Sequence, residues 1–177
     1  MGKVMRLAPK KSLNKTINLD IACGFNKQPN FIGMDKRDVP GVDIVHDIEV
    51  TPWPVEDEIV SIALLSHILE HLDPRRMLDI FAEIWRVMIP DGQVMIAVPY
   101  AGSFGAYQDP THTRPGFNEA TWKYFDPRFP LWGIYKPRPF MIEDCSYDPL
   151  TNMEVRLRAI KKGSKGINED GFQKIGL

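Results

Sequence analysis

The sequence predicts an α/β domain with a mostly parallel sheet and an antiparallel hairpin at its C-terminal edge. Three observations lead there. Short apolar runs end in acids or glycine turns between residues 16 and 66. One amphipathic helix separates two apolar runs. Two strand-like segments flank "DPLTN" near the C-terminus. Strand, helix, strand implies a right-handed parallel crossover, and strand, turn, strand an antiparallel pair. The 177 residues, 44% of them hydrophobic, suit a single globular unit with a real core.

The elements follow in order. Thr16–Ala22 ("TINLDIA") reads as a short buried strand before Gly24, and "FIGM" (31–34) as a second, closed by Asp35. "VDIVH" (42–46) is a third. The prolines and acids of "TPWPVEDE" (51–58) exclude a central strand and mark a loop. Ile59–Ser66 is nearly all apolar, as expected of a parallel strand buried on both faces. Asp73 and Pro74 then start a helix: the carboxylate accepts orphan N–H groups, and proline has none to leave unpaired. Met77, Leu78, Phe81, Ile84, Trp85 and Met88 recur at spacings of three and four and predict its buried face. Pro90, Asp91 and Gly92 end the helix, and "QVMIAVP" (93–99) is the next strand. Residues 100–139 are aromatic, proline-rich and irregular, apart from a short helix around Asn118–Phe125. "FMIEDCSY" and "MEVRLRAIKK" form the hairpin. The domain thus spans 16–162, with a long substrate or lid loop at 100–139.

Residues 1–15 read as a basic arm and 163–177 as a flexible tail. Residues 1–16 hold five basic side chains and no acid, while 154–166 hold five against Glu154, which leaves an acidic body between them. Such ends are solvated tails in the simplest reading, or arms for an anionic substrate. No apolar run reaches the roughly 20 residues of a membrane span. Cys23 and Cys145 lie far apart without metal spacing, so a reduced, cytoplasmic protein is expected.

The informative stretch is "NLDIACGFNKQPNFIGMDKRD" (18–38). In an open α/β sheet, ligands bind at the carboxyl ends of the strands. Gly24 lets backbone approach a ligand, and Asp35, closing the second strand, can accept from a ribose diol. The G-x-G-x-x-G of a dinucleotide site is missing, which argues against NAD. With "LDIACG", "FIGMD", "VDIVHDI", "PWPVED", "SHILEHL", "RVMIPDGQVMIAVP" and "DPTHTRP" in this order, the chain resembles the class I S-adenosylmethionine-dependent methyltransferases. It is especially similar to a compact subgroup with a shortened first crossover. The resemblance runs from about residue 17 to 126 and implies a Rossmann-like sheet with S-adenosyl-L-methionine as cofactor. It also implies that Asp20 and the backbone of Ala22, Cys23 and Gly24 face the methionine moiety. Asp35, with Lys36 beside it, takes the ribose hydroxyls, Asp47 the adenine amino group, and Ile48 the ring face. Ser66 and His67 close the pocket under the sulfonium. Asp47 as a plain turn acid is the competing reading. Ala22 stands where the family most often has glycine. Ser61 replaces an acid common in the subgroup, and Asn26-Lys27 replace a glycine-rich continuation.

Two further motifs compete for chemistry. "HILEH" (67–71) matches the H-x-x-E-H of inverted zinc peptidases, which needs one continuous helix. His67 follows a strand directly, so a turn oriented by Glu70 and His71 is expected, and no metal. "YQDPTHTRPGF" (107–117) follows the fifth strand and should overhang the donor methyl. Asp109 and His112 are expected to share a hydrogen bond and make a general base, with Tyr107 and Arg114 on the substrate. The plainer alternative is turn chemistry at Asp109-Pro110. The aromatics Phe104, Tyr107, Trp122, Tyr124, Phe125, Phe129, Trp132 and Tyr135 form either a lid or a satellite core.

Two functions fit these features. One is a methyltransferase acting on an oxygen or nitrogen of an unidentified acceptor, a small molecule or glycan before nucleic acid. The other is a non-catalytic module, or partner subunit, that holds S-adenosylmethionine or S-adenosylhomocysteine.

Overall fold

Four short apolar runs pair edge to edge before any long helix forms. The computed structural model describes residues 16–113 and 116–165. Its strands are β1 (Ile17–Ile21), β2 (Ile32–Asp35), β3 (Ile44–Val45), β4 (Val60–Ser66), β5 (Met88–Pro99), β6 (Phe140–Tyr147) and β7 (Asn152–Ala159). They form one sheet in the order β3-β2-β1-β4-β5-β7-β6. β7 runs antiparallel to both of its neighbours, while the ladders among β1 to β5 are parallel. The parallel sheet with a hairpin edge is therefore as expected.

The helix sits where its caps place it. Asp73 accepts from Arg75 N at 2.9 Å, a 3₁₀ turn covers Pro74–Arg76, and α1 runs from Met77 to Val87. Its buried face is Met77, Ile80, Phe81, Ile84 and Val87. Leu78, expected inside, is 40% exposed, and Trp85 is half-buried with its indole N–H on Ile160 O. Apolar residues flank the stripe on both sides, so the spacing alone left its rotation ambiguous. Met88 belongs to β5, which begins where α1 stops rather than at Gln93. Residues 89–92 bulge between the Val60–Met88 and Ile62–Gln93 pairs, with Asp91 at φ 63°. The Asp91 carboxylate fixes that bulge by accepting from Arg158 and from Lys165 N.

β4 departs from expectation too. Ile62 and Leu64 are only half-buried, and Met95 beside them on β5 is 43% exposed. Right-handed crossovers place the β1–β2 and β2–β3 connections on the face opposite α1. Neither contains a helix, so among the described residues that face lacks the layer of a doubly wound sheet.

Residues 100–139 are less irregular than the sequence suggests, carrying α2 (Phe104–Gln108), α3 (Glu119–Lys123) and α4 (Trp132–Tyr135). Asn118 caps α3 in a reciprocal box with Thr121. Trp122 and Phe125 are buried against Phe81 of α1, with the Phe81 and Phe125 ring centroids 4.3 Å apart, and Phe117 stacks on Trp122, so they are core rather than lid. Phe104 and Tyr107 on α2, and Tyr135 on α4, stay exposed. The segment is pinched at its start: Ala101 N donates to Phe117 O at 2.7 Å, beside a Tyr100–Phe117 bridge. Gly116 fits there because its φ is 101° and a Cβ would lie 2.8 Å from Ala101 Cα.

The loop 51–58 is clamped onto α1 by Arg86. Its guanidinium donates to Val55 O (2.9 Å), Trp53 O (3.2 Å), Glu83 Oε2 (2.8 Å) and Asp57. Trp53 in turn donates its indole N–H to Ile48 O at 2.9 Å, which carries the clamp to the end of β3. Arg86→Ala is expected to lower stability by about 2–3 kcal/mol, since half-buried carbonyls and a carboxylate lose a charged donor. Arg86→Lys should recover less than half of this, because an ammonium cannot span the fork. The urea midpoints of the three proteins check it.

Candidate functional site

The site begins where two central strands part. β1 and β4 are neighbours, but their first residues beyond the ladder turn away from each other. Ala22 N donates to Met34 O on β2 (2.7 Å), and His67 N donates to Ala97 O on β5 (2.8 Å). Both residues are left-handed, Ala22 at φ 59° and His67 at φ 52°. This conformation is costly for side-chain-bearing residues and common at functional sites.

Between them opens a cleft of about 440 Å³. Of the residues anticipated for the cofactor, Ala22, Asp35, Lys36, Asp47, Ile48 and His67 line it. Arg37, Glu49, Ile68, His71, Leu72 and Thr111 complete the wall. Asp20, Cys23, Gly24 and Ser66 do not line it. Asp20 is buried and accepts from Gln28 N at 2.8 Å, holding the turn from behind. Burial pushes its carboxyl upward, against the Gln28 N–H and the Lys27 charge. Gly24, at φ 53°, donates its N–H to Asp35 Oδ2 at 2.9 Å.

Asp35 is the most constrained acid of the cleft. Burial alone would raise its carboxyl, but hydrogen bonds from the Arg37 side chain and backbone and from Gly24 N–H outweigh that. They hold it below the usual carboxylate range. Arg37 Nε lies 3.1 Å from Oδ1, and its side chain is half exposed, so a ligand hydroxyl can displace it. Sequence reading overlooked Arg37, although it stands two residues from the acid. Asp47 makes the turn its alternative reading describes, accepting from Glu49 N at 3.0 Å through Oδ1. Yet it also lines the cleft, and its Oδ2 makes no hydrogen bond among the described residues. Ile48 is 4% exposed beside it.

The far wall departs more. Asp109 and His112 do not share a side-chain hydrogen bond. Asp109 Oδ1 accepts from Thr111 N (2.8 Å) and Thr111 Oγ1 (2.7 Å), which hold the carboxyl below its ordinary value. The His112 ring instead places Nδ1 3.0 Å from Ala106 O. The Asp-Pro turn consumed the acid locally, as turn acids do. Tyr107 is exposed on α2 away from the cleft wall, and Arg114 lies outside the described residues.

The "HILEH" segment forms only a 3₁₀ turn, Leu69–His71, so it is not the single helix a peptidase motif needs. His67 Nδ1 lies 3.2 Å from Glu70 Oε1, and that bond, opposed by burial, raises the imidazole's pKa. Glu70 is buried, and its Oε2 has no partner among the described residues. An unpaired buried acceptor costs about 1–3 kcal/mol, more when charged. Thr113, from the far loop, donates its N–H to Glu70 O at 2.9 Å and seats its hydroxyl between Glu70 O and Leu72 O. That bond brings His112 beside His71, with ring centroids 4.7 Å apart. No spacing in the sequence signals this meeting, because the two histidines come from segments that only the fold joins.

Comparison with known proteins gives the site its setting. Residues 7–96 match the family model described as a methyltransferase domain. No protein of curated function matches. Among solved structures, a SAM-dependent methyltransferase from Archaeoglobus fulgidus superposes with a TM-score of 0.58 at 18% identity. The match covers 81% of this chain and 87% of that one. The 1,6-didemethyltoxoflavin-N1-methyltransferase of Burkholderia thailandensis, solved with bound S-adenosylhomocysteine, gives 0.60 at 16% identity over 82% and 71%. The N-methyltransferase NodS of Bradyrhizobium japonicum gives 0.56 at 11% over 82% and 86%. These likenesses show a shared fold, and the family match covers half of the sequence. The chain belongs to the methyltransferase domain family.

Proposed function

We propose that the protein transfers a methyl group from S-adenosylmethionine to an oxygen or nitrogen of a small-molecule or glycan acceptor. The observation that carries this reading is the cleft at the parted ends of β1 and β4, with an ionised Asp35 closing β2 and Asp47-Ile48 just beyond β3. In this reading the ribose hydroxyls donate to Asp35, displacing Arg37. The adenine amino group donates to Asp47 Oδ2, and Ile48 covers the purine face. The methionine end then lies against Ala22, His67 and Ile68. The donor methyl points to the wall made by His71 and Thr111, with His112 behind it.

The chemistry needs little beyond alignment. The acceptor lone pair forms the new bond to the methyl carbon while the carbon–sulfur bond breaks and its electron pair returns to sulfur. S-adenosylhomocysteine remains, and the acceptor proton leaves to solvent. Holding two reactants in line is itself a large part of such a rate enhancement. The exposed rings of Phe104 and Tyr107 on α2 lie outside the cleft wall and leave the class of acceptor to the labelling experiment below. A cytoplasmic setting is supported by two free cysteines, and among the described residues no helix is long and apolar enough to cross a membrane.

Calorimetric titration with S-adenosylhomocysteine is expected to show one site per chain. Asp35→Ala should weaken it by about 10–100-fold, the value of a charged hydrogen-bonding group. Absence of binding at millimolar ligand would overturn the reading, as would failure to label any acceptor in a cell extract with methyl-labelled donor.

The lowered Asp35 pKa has a signed consequence. A carboxylate depressed by folding contributes stability above its ordinary value of 3.8 and loses it as pH falls through the folded value. The stability difference between wild type and Asp35→Asn, from urea unfolding, should therefore be full at neutral pH and narrow below 3.8.

A further inference from the structure

We propose that Glu70, His71 and His112 bind one divalent transition-metal ion, of the Zn²⁺ or Mn²⁺ kind, at the acceptor end of the cleft. One ligand atom from each lies within 4.8 Å of the other two. Glu70 is 1% exposed, one of its oxygens is held by His67, and the other, Oε2, is buried without a hydrogen-bond partner among the described residues. A buried carboxylate oxygen left spare in this way is a ligand waiting for a cation.

Hydrogen bonds around the imidazoles decide which nitrogens are free. A carbonyl only accepts, so His112 Nδ1, 3.0 Å from Ala106 O, carries the proton and Nε2 keeps the lone pair. A carboxylate also only accepts, so the Thr111 hydroxyl donates to Asp109 Oδ1. That hydroxyl then accepts from His71 Nδ1 at 3.0 Å, which leaves the His71 lone pair on Nε2 as well. Metal-binding histidines are oriented in the same manner, by donation from the far nitrogen to a carbonyl or a carboxylate-linked group. The Thr113 bonds to Glu70 O fasten the loop bearing His112 to the turn bearing the other two.

Two neutral imidazoles and one carboxylate suit zinc or manganese rather than an all-oxygen calcium or magnesium site. With bonds of about 2.0–2.2 Å, such an ion draws the three groups inward and still has positions open. His71 and Thr111 line the cleft, so an open position falls at its wall. Resting on the methyl-transfer reading, the acceptor selected there is one that offers an oxygen. Bound to the ion, its hydroxyl releases a proton to solvent, and the oxygen attacks the methyl carbon as the carbon–sulfur pair returns to sulfur. In that arrangement His112 serves as a ligand and not as a base.

The test uses the full chain, stripped of metal by chelator and titrated calorimetrically with Zn²⁺ and, separately, Mn²⁺. One ion per chain is expected for at least one metal. Glu70→Gln and His112→Ala should each weaken it by at least about 100-fold, more than the loss of an outer hydrogen bond. His46→Ala, at a histidine that touches neither the cluster nor Glu70, should bind like wild type. Imidazole nitrogen spectra of the unmutated protein give a readout that no misfolded variant can confuse: His71 and His112 should shift with Zn²⁺ and His46 should not. No stoichiometric ion, binding that survives both substitutions, or shifts confined to His46 would overturn the site. Titrating the same samples with S-adenosylhomocysteine separates the two readings. Nucleoside binding without an ion defeats the cation site alone, and an ion without nucleoside binding defeats the donor assignment alone.

Discussion

The parting of β1 and β4 is the constraint on which the rest of the site depends. The two strands pair along their length, but at Ala22 and His67 each backbone N–H commits to the strand on its far side. A parallel sheet whose chain winds both ways from the middle must open there. Both turns use left-handed backbone at residues carrying a Cβ, a strain the surrounding sheet sustains. Apart from Thr111, which comes from the loop after α2, what lines the cleft follows one of those two turns or the ends of β2 and β3.

Around this opening, polar groups are held by bonds from neighbouring turns and from α1's start, and some by one another, as Asp35 with Arg37 and His71 with Thr111. Asp35 is held by Gly24 and Arg37, Glu49 by Asp73 and Arg76, and Ile48 through Trp53 by the Arg86 clamp. The far wall is fixed by Thr113 on Glu70 and Leu72. Among the described residues, Asp47 Oδ2 and Glu70 Oε2 are left without a hydrogen bond.

What the sequence made legible was local. The strand-end acids Asp35 and Asp47 follow apolar runs within a few residues, and the Asp73-Pro74 start of α1 is written in adjacent letters. The buried face of α1 was legible only in part, because Leu78 and Ile80 both satisfy helical spacing, and the rotation that packs Phe81 on Phe125 and Phe140 buries Ile80 and exposes Leu78. The Asp109–His112 pair failed because a threonine two residues on reached the acid first. The meeting of His112 with Glu70 and His71 was invisible, since it depends on a tertiary bond from Thr113 that no periodicity encodes.

The pinch at Ala101 and Phe117 has a consequence for how such a protein can change over generations. A loop whose two ends are joined at the sheet is anchored at its neck, and within it Ser103 and Ala106 are buried while Thr113 bonds back to Glu70 and Leu72. Its exposed positions, such as Phe104 and Tyr107, can be exchanged while Gly116 keeps the neck narrow. The side of the cleft built from strand ends has no such freedom. Selection acting on this chain would therefore rewrite the exposed positions of the loop first, and leave the strand ends untouched.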